Sequence, residues 1–342
     1  MAEAVHHAPY AVVLTAPFQL PILARMESSA TVSANPGPQP VAFVSGDGLR
    51  LSGTRQVGGR QAPQILLAHG FGQTRDSWAG TQQRLGQAGF GSLAWDTRGH
   101  GASERNPPHH SYEAENFIAD QVAATNLLGG TPVLVGASMG GLTGLLAQAS
   151  TPLFSALVLV DVTPRWESAG MQRIQAFMSA HPEGFDSYDH AAGAIADYLP
   201  HRRGRKTEQQ LSKLLHLDAD GRLRWHWDPR LLVEFVAGSQ QLQETISDAA
   251  RRVRVPVLLV SGGRSDLVSD DTVAHFLELV PHARHVRLPE ATHMLAGDDN
   301  DAFTETVLAF LRAQFPNPAP DAGANGFAAA APAEHLAPGV TR

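Results

Sequence analysis

The sequence predicts a doubly wound α/β fold built on a mostly parallel sheet of eight strands. Between Gln64 and residue 315, six short apolar runs alternate with longer amphipathic segments. Most of the short runs are apolar at nearly every position, which is typical of strands that are buried on both faces. Such alternation favours right-handed crossovers, with helices covering both faces of a parallel sheet.

The first two strands are expected to form an antiparallel hairpin, Val41–Ser45 and Leu49–Arg55. Gly46-Asp47-Gly48 between them readily forms a turn. The six further strands are expected at Gln64–Ala68, Gly91–Trp95, Val133–Ala137, Ala156–Asp161, Val257–Ser261 and His285–Leu288. The helices between them are expected at about 77–88, 112–128, 139–149, 271–279 and 299–314.

One interval interrupts this alternation. Between Asp161 and Pro256 no segment resembles a buried strand, and aromatic residues are frequent. A helical insertion that covers the sheet's C-terminal edge is therefore expected, since ligands of open α/β sheets bind there. The predicted organisation is an N-terminal extension and linker (1–40), a core in two parts (41–164 and 251–315) separated by a helical cap (165–250), and an Ala/Pro/Gly-rich tail (316–342).

Composition excludes several classes of protein and partner. The 342-residue chain has a net charge of −7, and its basic run Arg202–Lys206 is expected to be a solvated loop, so nucleic acid is not an expected partner. Cysteine is absent, which excludes disulfides, thiolate metal sites and cysteine nucleophiles. No segment has the length of a membrane-spanning helix, so stable membrane association is not expected. We expect a cytoplasmic monomer or homodimer, with secretion through the apolar stretch Tyr10–Pro17 as the minor alternative.

A serine stands at the end of the fifth expected strand. Gly136-Ala137-Ser138-Met139-Gly140 follows the apolar run Pro132–Val135, and a helix is expected to begin directly after the serine. A sharp strand-to-helix turn strains the serine backbone and exposes its hydroxyl, while glycines on either side avoid collisions with the neighbouring strand or helix. Ser138 is therefore the candidate nucleophile.

A serine hydroxyl needs an imidazole to take its proton, and the imidazole needs a carboxylate to orient it. Of the 16 histidines, His293 lies after the last expected strand, at the sheet edge that also carries Ser138. Asp266 follows the strand Val257–Ser261 in a loop of small residues, and the order Ser138, Asp266, His293 matches the order of nucleophile, acid and base in hydrolases. We therefore expect Asp266 to be the acid, with Asp161 as its competitor.

The negative oxygen that develops on an ester carbonyl needs two preorganised donors. The backbone N–H of Met139, directly after the serine, is expected to be the first. The second is expected from Phe71 in His69-Gly70-Phe71-Gly72, because glycines let a backbone pass close to the substrate. His69 is expected to brace this loop by hydrogen bonding rather than to act as a base.

Two further groups of residues are expected near this edge. The segment Asp96–Ser103 combines polar residues and glycines in a tight loop, which indicates a structural network that holds the active-site edge together. The aromatic residues of the insertion either form its own small core or face a substrate pocket. The predicted pocket residues are Phe71, Trp166, Met171, Phe177, Trp225 and Trp227.

Together these segments resemble the α/β-hydrolase fold superfamily. His-Gly-Phe-Gly, Asp-x-Arg-Gly-His-Gly-x-Ser, Gly-x-Ser-Met-Gly-Gly, an Asp after the seventh strand and a late His occur in this order over residues 41–315. The sequence looks most like the branch of esterases, perhydrolases and carbon–carbon bond hydrolases, in which the insertion is the cap. The resemblance implies a Ser-His-Asp mechanism on a small-molecule substrate, with neither a metal nor an organic cofactor.

The leading expectation is a carboxylesterase that works through an acyl-enzyme. Cleavage of a carbon–carbon bond in a dienoate or diketone needs the same triad and a cation for the substrate carboxylate, which Arg75 or Arg165 could supply. Perhydrolysis, in which peroxide intercepts the acyl-enzyme, is a third enzymatic alternative. The alternative without catalysis is a ligand receptor that retains the hydrolase fold. Serine at position 138 counts against epoxide hydrolases and dehalogenases, which carry aspartate there.

Overall fold

The computed structural model describes residues 37–198, 204–232, 239–293 and 301–316. Eight of the strands in these residues form one sheet: β1 (Gln39–Val44), β2 (Arg50–Gln56), β3 (Gln64–Ala68), β4 (Gly91–Trp95), β5 (Val133–Ala137), β6 (Ala156–Val160), β9 (Val257–Gly262) and β10 (Arg284–Leu288). Their spatial order is β1-β2-β4-β3-β5-β6-β9-β10. The strands β1 and β2 pair antiparallel, β2 also pairs antiparallel with β4, and all the other pairs are parallel. The expected eight-stranded, mostly parallel sheet is confirmed.

The helices fall between the strands, as the alternation of the sequence predicts. A 3₁₀ turn, Arg75–Trp78, leads into the first helix. The helices whose bounds lie within the described residues are α1 (Ala79–Gln87), α2 (Ala114–Leu128), α3 (Met139–Ser150), α4 (Ser168–Ser179), α5 (Tyr188–Tyr198), α6 (Glu208–Leu211), α7 (Ser239–Arg252), α8 (Asp270–Leu279) and α9 (Asp301–Gln314).

Two separate apolar layers lie on the two faces of the sheet. Alternate residues of a strand point to opposite faces, so Leu66 belongs to one layer and Leu67 to the other. The layer with Leu66 packs against α2, α3, α7 and α8, and the layer with Leu67 packs against α1 and α9. Both leucines are fully buried, which explains why these strands are apolar along their whole length.

The insertion carries a small core of its own and is not entirely helical. Besides α4, α5 and α6 it contains an antiparallel hairpin of β7 (Leu215–Leu217) and β8 (Leu223–Trp225). The turn between these strands is closed by hydrogen bonding between Asp218 and Arg222, and Gly221 adopts a φ of +81° there. Asp218-Ala219-Asp220-Gly221 is a turn signal that marks this hairpin in the sequence.

The helix α7 lies within the predicted cap range of 165–250 but packs on the sheet. Its residues Ile246, Ala249 and Ala250 are fully buried in the layer that also contains α3. The boundary between cap and core therefore precedes α7. Most of the predicted N-terminal extension (to residue 36) and of the predicted tail (from residue 317) lies outside the described residues. No helix of the described part is long and apolar enough to cross a membrane.

Candidate active site

The strand β5 ends in a backbone turn that presents Ser138 at the C-terminal edge of the sheet. Ser138 has φ 45° and ψ −116°, and α3 begins at the next residue. Left-handed backbone is costly for a residue with a side chain, so the surrounding structure must hold it. One such restraint is a hydrogen bond of 3.1 Å from the Ser138 N–H to the carbonyl of Val160 at the end of β6.

The flanking glycines are required by close packing, as the sequence predicts. A Cβ atom on Gly136 would lie 2.7 Å from the backbone of Gly141 in α3. A Cβ atom on Gly140 would lie 2.5 Å from the carbonyl oxygen of Ala68 at the end of β3. Any larger residue would push the serine turn away from both neighbours.

The carboxylate that meets the candidate base belongs to Asp161. Nδ1 of His293 lies 2.7 Å from Oδ2 of Asp161, whose side chain is 1% exposed. The same carboxylate accepts hydrogen bonds from the Gly262 N–H at 2.8 Å and from the Ser265 hydroxyl at 2.6 Å. These donors fix the orientation of the carboxylate, and the carboxylate fixes the proton of His293 on Nδ1, which leaves Nε2 as the basic nitrogen.

The prediction that Asp266 orients His293 is therefore wrong. Asp266 turns towards the cap instead and forms a half-exposed ion pair of 2.9 Å with Arg173 of α4. Both aspartates end up at the same edge of the sheet, and both fit the order of nucleophile, acid and base. The structural difference is that Asp161 follows β6, the strand next to β5, and that its φ of 49° turns its side chain into the site.

The loop after β3 is held in one conformation by its own side chains. The Gly70 N–H donates to Oε1 of Gln73 at 3.0 Å. The Gly70 carbonyl accepts from Nδ1 of His69 at 2.8 Å and from the Gln73 N–H at 3.1 Å. Nε2 of His69 in turn accepts from the Thr97 N–H at 2.9 Å, so its proton lies on Nδ1. The bracing role predicted for His69 is confirmed, whereas sequence reasoning gave Gln73 no role.

This loop lies directly against the serine turn. A Cβ atom on Gly70 would lie 3.2 Å from Cβ of Ser138. Phe71 is the next residue along the loop, and Met139 is the first residue of α3. The two residues thus belong to two chain segments that meet at the serine, and the assignment of their backbone N–H groups as oxyanion donors remains a prediction.

The segment Asp96–Ser103 forms the expected network beneath the site. The Asp96 carboxylate accepts from the backbone N–H groups of Arg75 and Ala102 and pairs with the Arg75 guanidinium. Arg98 is fully buried and binds the Asp120 carboxylate through two nitrogens, at 2.8 and 2.6 Å. It also reaches Asp47 in the β1–β2 turn at 2.7 Å. The network joins three distant parts of the core behind the active-site edge.

Three histidines in and around this network, the buried His69 and His100 and the partly buried His226, are neutral and act as hydrogen-bond acceptors. Burial lowers the pKa of His69 and of His100, and it lowers the pKa of His226 to about 3. Nε2 of His100 accepts from the Gly72 N–H at 3.2 Å, and Nδ1 of His226 accepts from the Gly101 N–H at 3.0 Å. Protonation would abolish these bonds and place like charges side by side.

Of the predicted pocket residues, Phe71 in the loop after β3 and Trp227 in the insertion lie in contact with each other. Their ring centroids are 5.0 Å apart, and Nε1 of Trp227 lies 3.7 Å from where a Cβ atom of Gly72 would be. Met178 of α4, which the sequence did not single out for the pocket, contacts the same point with its terminal methyl group. The apolar side chains above the loop thus come partly from the cap.

The other predicted pocket residues are placed in the apolar cores. Trp166 is buried in the core layer on the α3 side, and Met171 packs against that layer. Phe177 stacks on Tyr198 with 4.1 Å between ring centroids, and it packs with Trp225 against the core of the insertion. Trp166 and Met171 thus pack with the sheet and Phe177 and Trp225 with the core of the insertion, and their place in a substrate pocket remains a prediction.

A recess of about 410 Å³ lies at the opposite edge of the sheet, near the starts of β3 and β5. It is lined by residues 55–64 and 128–132, apart from Gln56 and Gln61, and does not include Ser138 or His293. Within the described residues, no group of three or more His, Cys, Asp or Glu side chains is placed to hold a metal ion. The candidate chemistry lies at the C-terminal edge, where Ser138 follows β5 and His293 meets Asp161.

Hydrolases of the α/β class combine three features that are present here: a predominantly parallel sheet, a serine on a strand-to-helix turn, and a histidine on a late loop that is paired with a carboxylate. Comparison with known proteins leads to the same class. The model of the alpha/beta hydrolase family matches residues 65–306, and the chain belongs to that family.

The similar proteins include hydrolases of different specificity. An esterase of Mycobacterium tuberculosis is 28% identical over 261 residues, which are 74% of this chain and 84% of the relative. Its crystal structure matches with a TM-score of 0.62 and 25% identity, covering 84% of this chain and 99% of that one. The 2-(acetamidomethylene)succinate hydrolase of Mesorhizobium japonicum is 29% identical over 254 residues, 73% of this chain and 88% of the relative.

Proposed function

We propose that the protein is a serine hydrolase that cleaves a carboxylic ester through an acyl-enzyme. Ser138 attacks the ester carbonyl while Nε2 of His293 takes its proton, and Asp161 stabilises the imidazolium that forms. The backbone N–H groups of Phe71 and Met139 bind the oxyanion. His293 then gives its proton to the departing alcohol, and a water molecule activated by His293 hydrolyses the acyl-enzyme.

The observation that carries this proposal is the hydrogen bond of 2.7 Å between His293 and the buried carboxylate of Asp161. A histidine that served only in packing would not need a buried anion with two further donors, because burying a carboxylate is costly unless it is well bonded. Ser138 N–H bonds to the residue directly before this aspartate, so nucleophile and acid lie on adjacent strand ends.

The side chains above the loop support an uncharged, apolar acyl or alcohol group in the substrate. Phe71, Met178 and Trp227 meet there, and His226 beside them is neutral because burial lowers its pKa to about 3. An uncharged ester loses little hydration on entering such surroundings, whereas a carboxylate would need a compensating cation.

Neither arginine considered for carboxylate recognition supports cleavage of a dienoate. The Arg75 guanidinium is paired with the buried Asp96. The side chain of Arg165 is exposed. The chain is similar to a hydrolase named for a succinate derivative. We use that similarity as support for the fold and for acyl chemistry, and not for a negatively charged substrate.

The decisive experiment measures hydrolysis of p-nitrophenyl esters from acetate to octanoate, together with labelling by a fluorophosphonate. The wild-type protein should hydrolyse these esters and be labelled at Ser138. Ser138→Ala should lose both properties and keep its melting temperature within a few degrees. Ser150→Ala, which removes a serine from the last position of α3, is the matched control and should retain both properties.

Other outcomes separate the alternatives. Turnover of a vinylogous dienoate without turnover of simple esters would establish the carbon–carbon bond hydrolase instead. Halogenation that depends on peroxide and a carboxylic acid would establish perhydrolysis. A wild-type protein that is neither labelled nor active on any of these substrates would leave the ligand receptor as the correct interpretation.

A further inference from the structure

We propose that His100 is a positioning residue for the oxyanion loop, acting by locking the turn Gly70–Gln73 in a single form. The proposal rests on the proposed function, because it concerns the donor that Phe71 supplies. His100 belongs to the Asp96–Ser103 network and is distinct from the nucleophile, base and acid.

The residues Gly70 to Gln73 form a β-turn closed by a hydrogen bond of 3.1 Å from the Gln73 N–H to the Gly70 carbonyl. Gly72 is the third residue of this turn and has a φ of +73°. Phe71 before it does not have a positive φ, so the turn is of type II, and type I differs from it mainly by rotation of the central peptide. In this turn the central peptide joins Phe71 to Gly72.

His100 bonds to that central peptide. Its Nε2 accepts the Gly72 N–H at 3.2 Å, while its Nδ1 donates to the Arg98 carbonyl at 3.2 Å. In the type I form the central peptide is turned over, and its carbonyl would face the lone pair of Nε2. The neutral Nδ1–H tautomer of His100 therefore favours the type II form.

The ring of His100 is itself held rigidly. It is fully buried, and its centroid lies 5.1 Å from that of His69 and 5.7 Å from that of Phe71. The pKa of His100 lies well below its ordinary value, because burial disfavours the charged form and His69 and His226 would repel it. The acceptor on Nε2 is thus available throughout the neutral range of pH.

The direction of the Phe71 N–H bond depends on the peptide groups on both sides of Phe71. The peptide group between Gly70 and Phe71 is planar, so the bonds of the Gly70 carbonyl to His69 and Gln73 set the direction of the Phe71 N–H. The peptide on the other side of Phe71 is held by His100. An oxyanion donor stabilises the transition state only if it is in place before the reaction, so a turn that samples two forms loses part of that effect.

The test compares His100→Gln with His100→Asn. Oε1 of glutamine extends about as far as Nε2 of histidine and can accept the Gly72 N–H, whereas the shorter asparagine cannot reach it. We expect kcat on p-nitrophenyl butyrate to fall about 10- to 100-fold in the Asn variant, because a small displacement of a catalytic group reduces the rate by about this much. The Gln variant should stay within about threefold of wild type, and KM should change less than about threefold in both.

A tetrahedral adduct supplies the second measurement. An alkylboronic acid forms such an adduct on the serine, so its inhibition constant should rise in the Asn variant in parallel with the loss of kcat. Ser103→Ala is the control, because Ser103 lies in the same segment and bonds the Asp96 carbonyl and the Ser52 N–H without touching the turn. It should lower the melting temperature while kcat stays within about twofold of wild type.

The outcomes separate this inference from the proposed function. If the wild type is labelled at Ser138 and active, but His100→Asn matches His100→Gln in kcat and in boronate affinity, the inference is overturned and the proposed function stands. Equal losses of kcat in His100→Asn and Ser103→Ala would also overturn it, since they would indicate general loosening. A wild type without labelling or activity would remove the proposed function itself.

Discussion

The buried carboxylate of Asp161 accepts a hydrogen bond of 2.7 Å from Nδ1 of His293, a residue 132 positions later in the sequence. Asp161 and Ser138 are also the two non-glycine residues with positive φ in the described part of the chain. Backbone strain of this kind costs about 1–3 kcal/mol per residue and concentrates at functional sites. The strain therefore marks Ser138 and Asp161 independently of any sequence motif.

Replacing the acid should separate the two aspartates clearly. Asp161→Asn should lower kcat on p-nitrophenyl butyrate by about 10³- to 10⁴-fold, because an amide cannot stabilise the imidazolium and favours the wrong tautomer of His293. Asp266→Asn, the matched control, should change kcat less than about threefold, since it removes only a half-exposed pair with Arg173. A larger loss in the Asp266 variant would restore Asp266 as the acid.

The serine turn should not tolerate a methyl group at Gly140. In Gly140→Ala the new Cβ atom would lie 2.5 Å from the carbonyl oxygen of Ala68, so either β3 or α3 must shift. We expect a loss of about 1–3 kcal/mol in the free energy of unfolding, measured in urea, together with loss of esterase activity. Gly80→Ala in α1, where an added Cβ atom would have no other atom within 4 Å, should instead raise stability by about 0.5–1 kcal/mol. Equal effects at both positions would contradict the packing argument.

Stability should decrease as pH falls below about 6.5. Burial lowers the pKa of His69, His100 and His226 in the folded protein, whereas the unfolded chain titrates near the ordinary value of about 6.5. Below that pH the unfolded chain binds protons that the folded chain does not, so each histidine removes about 1.4 kcal/mol per pH unit until its folded pKa is reached. Above about pH 7 these groups contribute no slope.

Urea unfolding between pH 7.5 and 5 measures this slope. His226→Gln should reduce the slope between pH 6 and 5 by about one proton, because it removes one of the histidines whose pKa burial lowers. His282→Gln, at an exposed histidine that bonds the Val255 carbonyl, is the control for the substitution itself. A free energy of unfolding that is flat or rises towards pH 5 would show that the buried histidines are charged.

Arg98 should be one of the most sensitive positions for stability. Arg98→Met would leave Asp120, whose side chain is 1% exposed, buried without its counter-ion. Removing one partner of such a pair costs about 3–5 kcal/mol, seen as a lower midpoint of urea unfolding. Arg84→Met breaks exposed pairs with Asp301 and Glu305 and should cost less than about 1 kcal/mol. Similar losses in both variants would argue against the importance of burial.

The sheet could be predicted closely from the sequence. The strands β3, β4 and β5 begin and end at the predicted residues, because each is a short run buried on both faces and bounded by turn residues. His293 and Ser138 were predicted for the same reason, since the position of a loop after a parallel strand determines the edge at which it lies. The hairpin β7–β8 was not expected, because its strands have three residues each and carry no clear alternation.

The choice between Asp161 and Asp266 could not be made from sequence. Both follow buried strands, and what distinguishes them is a backbone angle and the partners that each carboxylate finds across the fold. Asp161 is surrounded by Gly262, Ser265 and His293, while Asp266 meets Arg173 from the cap. Contacts between residues more than 90 positions apart leave no local pattern.

The hydrogen bond from the Ser138 N–H to the Val160 carbonyl has a consequence for how damage to this protein would show itself. The candidate nucleophile and its candidate acid are held in register by the last rung of the β5–β6 ladder, so the geometry of the candidate site depends on both strand ends. A substitution that loosens the end of β6 by a fraction of an ångström would leave the circular dichroism spectrum intact. For the esterase that we propose, turnover is therefore the more sensitive reporter of the integrity of this sheet.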